Sequence, residues 1–333
     1  MTARPDSQGS NGASPTVGVV LIGRNEGERL MRCLESIRGL AETVVYVDSG
    51  STDGSVERAK EKGARIVALE TDRPFTAARA RNAGFAELAR TGAPEFVQFV
   101  DGDCELDAGW IPAARDHLIA HPGIAVVCGR RREKYPEASI YNRLCDHEWN
   151  TSVGEAKACG GDAMMRTAAF SAVNGFNPGL IAGEEPELCV RLRAAGWKIW
   201  RLDREMTLHD AAMTRFGQWW KRSRRGGYAF AMGAALHGRP PERHWVRETR
   251  RALVWGAALP LAIVLGVLVF GPWAALLFLA YPLSVVRLAR AGGADAWPRA
   301  LFLTLGKFPE AIGALEYWLH RLTGRAGRLI EYK

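Results

Sequence analysis

Two patterns of apolar residues divide this chain of 333 residues. From Thr16 to about residue 130, short apolar runs alternate with stretches of helical period. Residues 17–22, 43–47, 65–69, 96–100 and 125–128 read as strands, and their near-continuous apolar character suits strands covered on both faces. Between them, residues 26–37 carry Leu30, Leu34 and Ile37 at helical spacing, with Gly39 placed to end the helix. Asp53 is placed to cap a helix that runs to Lys62 and closes at Gly63; Thr76 caps another through about Ala89, and residues 110–120 form a further one. This alternation predicts an α/β domain with a mainly parallel sheet and helices on both faces. Residues 141–149 and 185–195 also read as helices, and residues 198–202 as a short strand after Gly196.

The second pattern is a run without charge, residues 252–286. As one helix it would be ~52 Å long at 1.5 Å per residue, too long for one upright span of a ~30 Å hydrocarbon core. Gly271-Pro272 lies near its middle and predicts two arms. Arg247, Arg250 and Arg251 precede the run, and Arg287, Arg290, Arg325 and Arg328 follow it. Cations at both ends and none at the turn predict a hairpin with both ends in the cytoplasm, either spanning or re-entrant. The bland alternative is a core helix of a soluble domain. Beyond the hairpin, Phe308, Ala311, Ile312, Leu315, Leu319 and Leu322 fall on one helical face, either in the membrane interface or against the hairpin. The predicted organisation is a disordered tail over residues 1–15, an α/β domain over 16–212, a basic aromatic interfacial helical region over 213–250, and a transmembrane hairpin with an amphipathic carboxyl-terminal helix over 251–333.

Composition refines this outline. Hydrophobic content of 47% and charged content of 24% exclude a disordered chain. The net charge of +8 suits an anionic partner. Much of the excess sits in Gln218-Trp219-Trp220-Lys221-Arg222-Ser223-Arg224-Arg225, just before the hairpin. That placement points to anionic membrane headgroups, and no nucleic-acid fold signal accompanies it. The six cysteines (Cys33, Cys104, Cys128, Cys145, Cys159 and Cys189) form no C-x-x-C pair, which argues against zinc and for buried thiols in a reducing compartment. The first fifteen residues lack an apolar stretch and are not a signal peptide.

The stretch richest in chemistry is Phe96-Val97-Gln98-Phe99-Val100-Asp101-Gly102-Asp103. A buried strand ends here in two carboxylates, at the edge where open α/β sheets bind ligands. Asp101 and Asp103 offer hard oxygen ligands to Mg²⁺ or Mn²⁺, whose shells are commonly completed by substrate phosphates. Gly102 allows a sharp turn and close approach of a ligand. The alternative is a strand ending in a solvated acidic turn. A second acidic strand end, Asp48, lies in the same predicted sheet and is placed to accept hydrogen bonds from a base N–H or a ribose hydroxyl.

With these motifs in order, residues 16–210 resemble the family 2 glycosyltransferases of the nucleotide-sugar (GT-A) fold, of the membrane-associated bacterial type. Val20-Leu21-Ile22-Gly23-Arg24-Asn25-Glu26 matches the family's first strand and turn and implies donor contacts at Ile22, Arg24 and Glu26. The family often has Pro and Tyr where this chain has Ile22 and Arg24. Asp48 matches the base-binding Asp, and Ala80-Arg81-Asn82-Ala83-Gly84 a segment whose Arg81 would lie near the nucleotide. Asp101-Gly102-Asp103 matches the metal-binding Asp-x-Asp, with Asp103 and Asp101 as ligands and Gly102 against the donor. Gly160-Gly161-Asp162 with Gly175-Phe176 matches the acceptor-side segment, which implies substrate contacts at Gly161 and Asp162. In Gly183-Glu184-Glu185 the family most often has Glu-Asp at the last two positions, so Glu185 takes the place of the general base, with Glu184 as the alternative. A His near the position of His209 reaches the metal in related enzymes. Gln218-Trp219-Trp220-Lys221-Arg222 matches the Gln-x-x-Arg-Trp of processive synthases only loosely, which argues against processive synthesis.

The resemblance implies an inverting, metal-dependent transfer from a nucleoside-diphosphate sugar. The acceptor expected from the hairpin and its cationic approach is a hydroxyl of a lipid or lipid-linked glycan at the cytoplasmic face of the inner (plasma) membrane, in cell-surface polysaccharide or glycolipid synthesis. Two other classes stay open: a sugar-phosphate nucleotidyltransferase, although Gly23-Arg24-Asn25-Glu26-Gly27 is not its phosphate loop, and a non-catalytic membrane scaffold, although every acidic position is intact.

Overall fold

A computed structural model of the chain describes residues 15–70, 75–90 and 92–324. The expected tail, up to residue 14, and Arg325 and Arg328 lie outside the described residues. Nine strands form one sheet: β1 (Val17–Gly23), β2 (Thr43–Asp48), β3 (Arg65–Ala68), β4 (Phe96–Asp101), β5 (Cys104–Leu106), β6 (Ile124–Glu133), β7 (Gly154–Ala156), β8 (Ala163–Arg166) and β9 (Lys198–His209). Helices α1 (Glu28–Ser36), α2 (Ser55–Glu61), α3 (Ala77–Arg90), α4 (Trp110–Ala120), α5 (Ile140–Trp149), α6 (Thr167–Ala172) and α7 (Glu184–Ala194) alternate with them. The sheet order is β3-β2-β1-β4-β8-β6-β9-β5, with β7 beside β9. The first four strands are parallel, β8 runs antiparallel between β4 and β6, and β6 and β9 are again parallel.

The apolar runs become the core because both faces are covered. Val19, Val20, Leu21, Val45, Val47, Val97, Phe99 and Val100 are fully buried. Each such side chain contributes about 1.5–3 kcal/mol relative to exposure. Register then positions the chemistry: Gly23 pairs with Asp48 and Ile22 with Asp101, so β2, β1 and β4 end level at one edge.

The departures from sequence lie on the far side of the sheet. Strands β6 and β9 run to 10 and 12 residues, well past the short strands expected there. Their second halves, with Arg130-Arg131-Arg132 and Asp203-Arg204-Glu205, are too polar to read as buried strands. They persist because they pair with each other; Arg132, for example, forms a bidentate ion pair with Glu205 at 2.7 Å. The short strands β5, β7 and β8 were not expected from sequence either.

After β9 come helices α8 (Phe216–His237), α9 (Val246–Leu253), α10 (Leu259–Phe270), α11 (Ala280–Ala289), α12 (Ala296–Leu305) and α13 (Lys307–Thr323). Among the described residues two helices are long and apolar enough to cross a membrane, Val246–Phe270 and Pro272–Ala289. They break at Gly271, whose φ of 81° suits glycine. The second arm begins as a 3-10 helix over Pro272–Leu279. That tighter helix rises roughly 2 Å per residue, so the arm reaches about 31 Å, where a shorter all-α arm looked marginal.

One expectation about this region is corrected. The cationic aromatic stretch does not simply face outward: Trp219 is buried against Tyr141 and Phe302, Arg222 pairs with Glu148, and Arg224 pairs with Glu316. It ties α8 to α5 and α13. In α13 the face packed on α8 is the small one, Gly313 and Ala314 with Tyr317, and Ala311 meets Gly256 of the first hairpin arm. The large apolar residues Ile312, Leu315, Leu319 and Leu322 point outward, while Phe308 stacks on Tyr281 of α11.

Candidate active site

The carboxyl edge of the sheet gathers an ionic cluster. Arg81, on α3 and 2% exposed, donates from Nη1 to Glu184 Oε1 and from Nη2 to Asp101 Oδ1, both at 2.7 Å. Arg131 Nη2 reaches the other Asp101 oxygen and Asp162 Oδ2, each at 2.9 Å. Burial alone would raise the Asp101 carboxyl, but the two guanidinium groups outweigh it and hold the group well below the usual range. Asp101 is therefore an anion with both oxygens engaged by arginine. To serve as the expected metal ligand it would exchange one of these contacts for the ion.

Asp103 stands differently. It is 6% exposed, and its Oδ2 lies 3.5 Å from His209 Nε2. Antiparallel pairing of β5 with β9, with Cys104 opposite His209, places the two side by side. His209 is buried under Trp149, ring centroids 4.7 Å apart. Burial first, and Arg131 next, push its imidazolium well below the ordinary value, so the ring is neutral. Its Nδ1 makes no hydrogen bond, and Glu133 Oε2 lies 3.8 Å away. A neutral imidazole beside a carboxylate fits a divalent cation. Burial raises the Cys104 thiol well above its ordinary value.

The other predicted positions divide between the cleft and its support. Arg24 lies over the Phe75 ring at 5.2 Å, and Glu26 pairs with Arg29. Gly102 donates to the Ile22 carbonyl at 2.8 Å, and a Cβ there would crowd that oxygen at 3.2 Å. A Cβ on Gly161 would stand 2.7 Å from Arg81 Nη2, so glycine leaves room for the Arg81–Asp101 pair. Asp48 accepts from the Gly50 and Ser51 N–H groups, both at 2.9 Å, and from the Tyr46 hydroxyl at 3.0 Å. It holds its own turn. Asp162 is buried behind Asp101, accepting from the Asp101 N–H and the Thr207 hydroxyl, both at 3.0 Å. It is 1% exposed and supports the strand end.

Residues 19–173 match the glycosyl transferase family 2 model. That segment is a glycosyltransferase family 2 domain. Among curated relatives, the succinoglycan biosynthesis protein ExoA of Rhizobium meliloti is 25% identical over 275 residues, 77% of this chain and 82% of that one. The pre-mycofactocin glycosyltransferase of Mycobacterium tuberculosis is 28% identical over 58% of this chain and 42% of that longer protein. Among solved structures, the mannosyltransferase PcManGT of Pyrobaculum calidifontis, in complex with GDP-Man and Mn²⁺, aligns with a TM-score of 0.63. It is 19% identical, over 91% of this chain and 88% of that one, and it shares the GT-A fold.

In this glycosyltransferase the two adjacent glutamates are not equivalent. Glu185, expected as the base, is 4% exposed, and its Oε1 accepts from the Cys159 N–H at 2.6 Å and from the Cys159 and Cys189 thiols at 2.8 and 3.0 Å. Burial holds the Cys159 thiol well above its ordinary value, so it stays a donor. Glu184, one step round the helix start, points instead at Arg81. A helix turns about 100° per residue, so neighbours cannot share a face. Asn82 brackets Phe176 with two bonds of 2.7 and 2.9 Å, joining the Ala-Arg-Asn and Gly-Phe motifs. Arg131 is the residue that sequence reasoning missed. Its only signal is the three-arginine run at the end of a strand assumed to stop at Cys128.

Proposed function

We propose that this glycosyltransferase moves a sugar, with inversion, from a nucleoside-diphosphate sugar to a hydroxyl of a lipid or lipid-linked glycan at the cytoplasmic face of the membrane. The observation that carries the reading is the pairing of Asp103 with neutral His209 beside the Arg81–Asp101–Arg131 cluster. Asp103 and His209 would hold Mg²⁺ or Mn²⁺. When bound, the ion supplies positive charge that stabilises the departing nucleoside diphosphate. Arg81 and Arg131 are placed to exchange part of their carboxylate contacts for phosphate oxygens. The nucleoside lies over the β1–β2 edge, near Ile22, Arg24, Glu26 and the Asp48 turn.

Glu184 is the carboxylate proposed to accept the proton of the acceptor hydroxyl as it attacks the anomeric carbon. Glu185, buried on two thiols, fixes the start of α7. A double displacement would need a second carboxylate free to act as nucleophile. Asp101, held by two guanidinium groups, is a poor one, which favours direct displacement. Support for the lipid acceptor comes from the two apolar helices and their flanking arginines. The part that ExoA takes in succinoglycan biosynthesis favours a cell-surface polysaccharide.

The test is calorimetry of UDP and GDP binding with and without Mn²⁺. Asp103→Ala should abolish the Mn²⁺ dependence while circular dichroism stays unchanged. Equal affinity of wild type and variant in Mn²⁺ sinks the assignment.

A further inference from the structure

The start of α7 carries a cluster that the proposed transfer does not use. Glu185 and Cys189 stand four residues apart and share one helix face. Cys159 comes to that face from the loop between β7 and β8. The Cys159 and Cys189 sulfurs lie 3.8 Å apart, and both meet Glu185 Oε1, at 2.8 and 3.0 Å. One ligand atom from each of the three residues lies within 4.8 Å of the others. Cys159 stands 26 residues before Glu185 and 30 before Cys189, so no short spacing in the sequence announces the group.

Geometry and chemistry converge here on a soft divalent ion. Two thiolates, each about 2.3 Å from one tetrahedral zinc ion, stand about 3.8 Å apart. The two sulfurs already hold that separation. A sulfur and a carboxylate oxygen on the same ion stand about 3.5 Å apart, so the two contacts to Glu185 open by roughly 0.5 Å as the ion replaces the protons between them. Glu185 and Cys189 are 4 and 0% exposed, and an ion held among them is shielded from water. Cys159 is the one cysteine of the six that is not buried, which gives the ion its way in. Two thiolates suit zinc and not Mg²⁺ or Mn²⁺, so this group differs in kind from Asp103 and His209. A disulfide fits less well. Burial holds the Cys159 thiol well above its ordinary value, whereas easily oxidised cysteines are those already held as thiolate. A metal ion supplies the positive charge that drives the proton off.

We propose that Cys159, Cys189 and Glu185 form a second metal site, which takes Zn²⁺ with a water in the fourth position. Binding forms two Zn–S bonds and one Zn–O bond to the protein and releases both thiol protons to water. The ion ties the loop before β8 to the start of α7. That junction is one residue from Glu184, which meets Arg81, and two residues from Gly161, which leaves room for the Arg81–Asp101 pair. The site stands whether or not Asp103 and His209 hold a metal.

The full chain in detergent, reduced and freed of metal by a chelator, is titrated with Co²⁺ in excess Mg²⁺. A near-ultraviolet sulfur-to-cobalt charge-transfer band should saturate at one ion per chain, and Zn²⁺ should abolish it. Cys159→Ala and Cys189→Ala should each remove the band, and Glu185→Gln should weaken Co²⁺ binding at least about tenfold. Asp103→Ala and Cys104→Ala should leave the band unchanged. A band kept in Cys159→Ala and lost in Cys104→Ala would place the ion beside Asp103 and overturn the assignment. Thiol labelling of the wild type keeps the test decisive if the alanine variants do not fold. Zn²⁺ should protect Cys159 from N-ethylmaleimide, and a chelator should restore its reaction. Equal labelling of Cys159 with and without Zn²⁺ overturns the site. Protection that a phosphine reverses and a chelator does not would make this a Cys159–Cys189 disulfide, and would overturn the metal.

Discussion

The two halves of this chain use the same apolar side chains in opposite ways. In the sheet domain Leu21, Val47 and Phe99 are fully buried, whereas in the hairpin Leu268, Phe270 and Trp273 are 76, 79 and 79% exposed. An apolar patch of that extent on a water-facing surface marks an interaction site. Around an uncharged helical hairpin the fitting partner is hydrocarbon. The comparison teaches that the same apolar side chains are a core in one half and an exposed surface in the other. It also separates duties: the candidate catalytic groups belong to the sheet edge, and the exposed apolar side chains to the outer helices.

The sharpest test of that division removes chemistry from the sheet half alone. Glu184→Gln keeps the shape and one bond to Arg81 but cannot take a proton. Turnover should fall ~10²–10⁴-fold with nucleotide affinity little changed. Glu185→Gln should act chiefly on stability, through the Cys159 and Cys189 contacts. A dead Glu185→Gln enzyme beside a near-normal Glu184→Gln enzyme would return the base to Glu185.

The next test compares one exposed apolar residue from each half. Ile119 of α4 is 45% exposed and Leu268 of α10 is 76% exposed. If water surrounds both, arginine at either costs within about 0.5 kcal/mol. If lipid surrounds α10, Leu268→Arg should cost about 2.5–3.5 kcal/mol in insertion while Ile119→Arg stays near neutral. A glycosylation-mapping insertion assay reads the difference, and equal outcomes would break the comparison.

Close packing differs as well. In the sheet domain, a Cβ on Gly84 would collide with Val20 and Val47 side chains. In the outer half, Cβ atoms on Gly227, Gly256 and Gly313 would collide with backbone carbonyls of Glu310, Lys307 and Arg224. Side chains can shift more readily than backbone. Gly313→Ala should therefore cost more than Gly84→Ala, both within about 1–3 kcal/mol, by loss of the α8–α13 contact. Proteolysis between residues 290 and 324 reports that loss, and a Gly313→Ala protein as resistant as wild type would count against it.

The sequence made the first half of the sheet legible because its strands are apolar on both faces and its helices carry their own stops. It made the motif order legible for the same reason: Asp48, Asp101 and Asp103 each end or follow a strand. What it hid was side-chain direction. Glu184 and Glu185 are both acidic at a helix start, and only the fold shows which meets Arg81 and which meets Cys159. Asp48 and Asp162 carry the right chemical type but turn it inward to backbone N–H groups. Arg131 escaped because the polar second half of β6 is held by cross-strand partners and not by an apolar pattern.

The smallest effect is expected at the seam between the halves. His237 meets Glu187 at 2.9 Å, Arg193 meets Glu242 at 2.6 Å, and His244 stacks on Trp245. Burial first, then His237 and Arg193, push the His244 imidazole down to about 4, while Glu242 and Glu187 pull weakly the other way. The folded ring is neutral, and the unfolded ring takes a proton below about pH 6.5. The seam is therefore most stable above pH 6.5 and weakens as the pH falls toward 4. Amide exchange across residues 237–245 should quicken over that window in the wild type and lose this dependence in His244→Gln. The sheet core, buried around Val20 and Phe99, should show no such slope. A wild-type seam that is flat from pH 6.5 to 4 would mean that the two halves meet through packing alone.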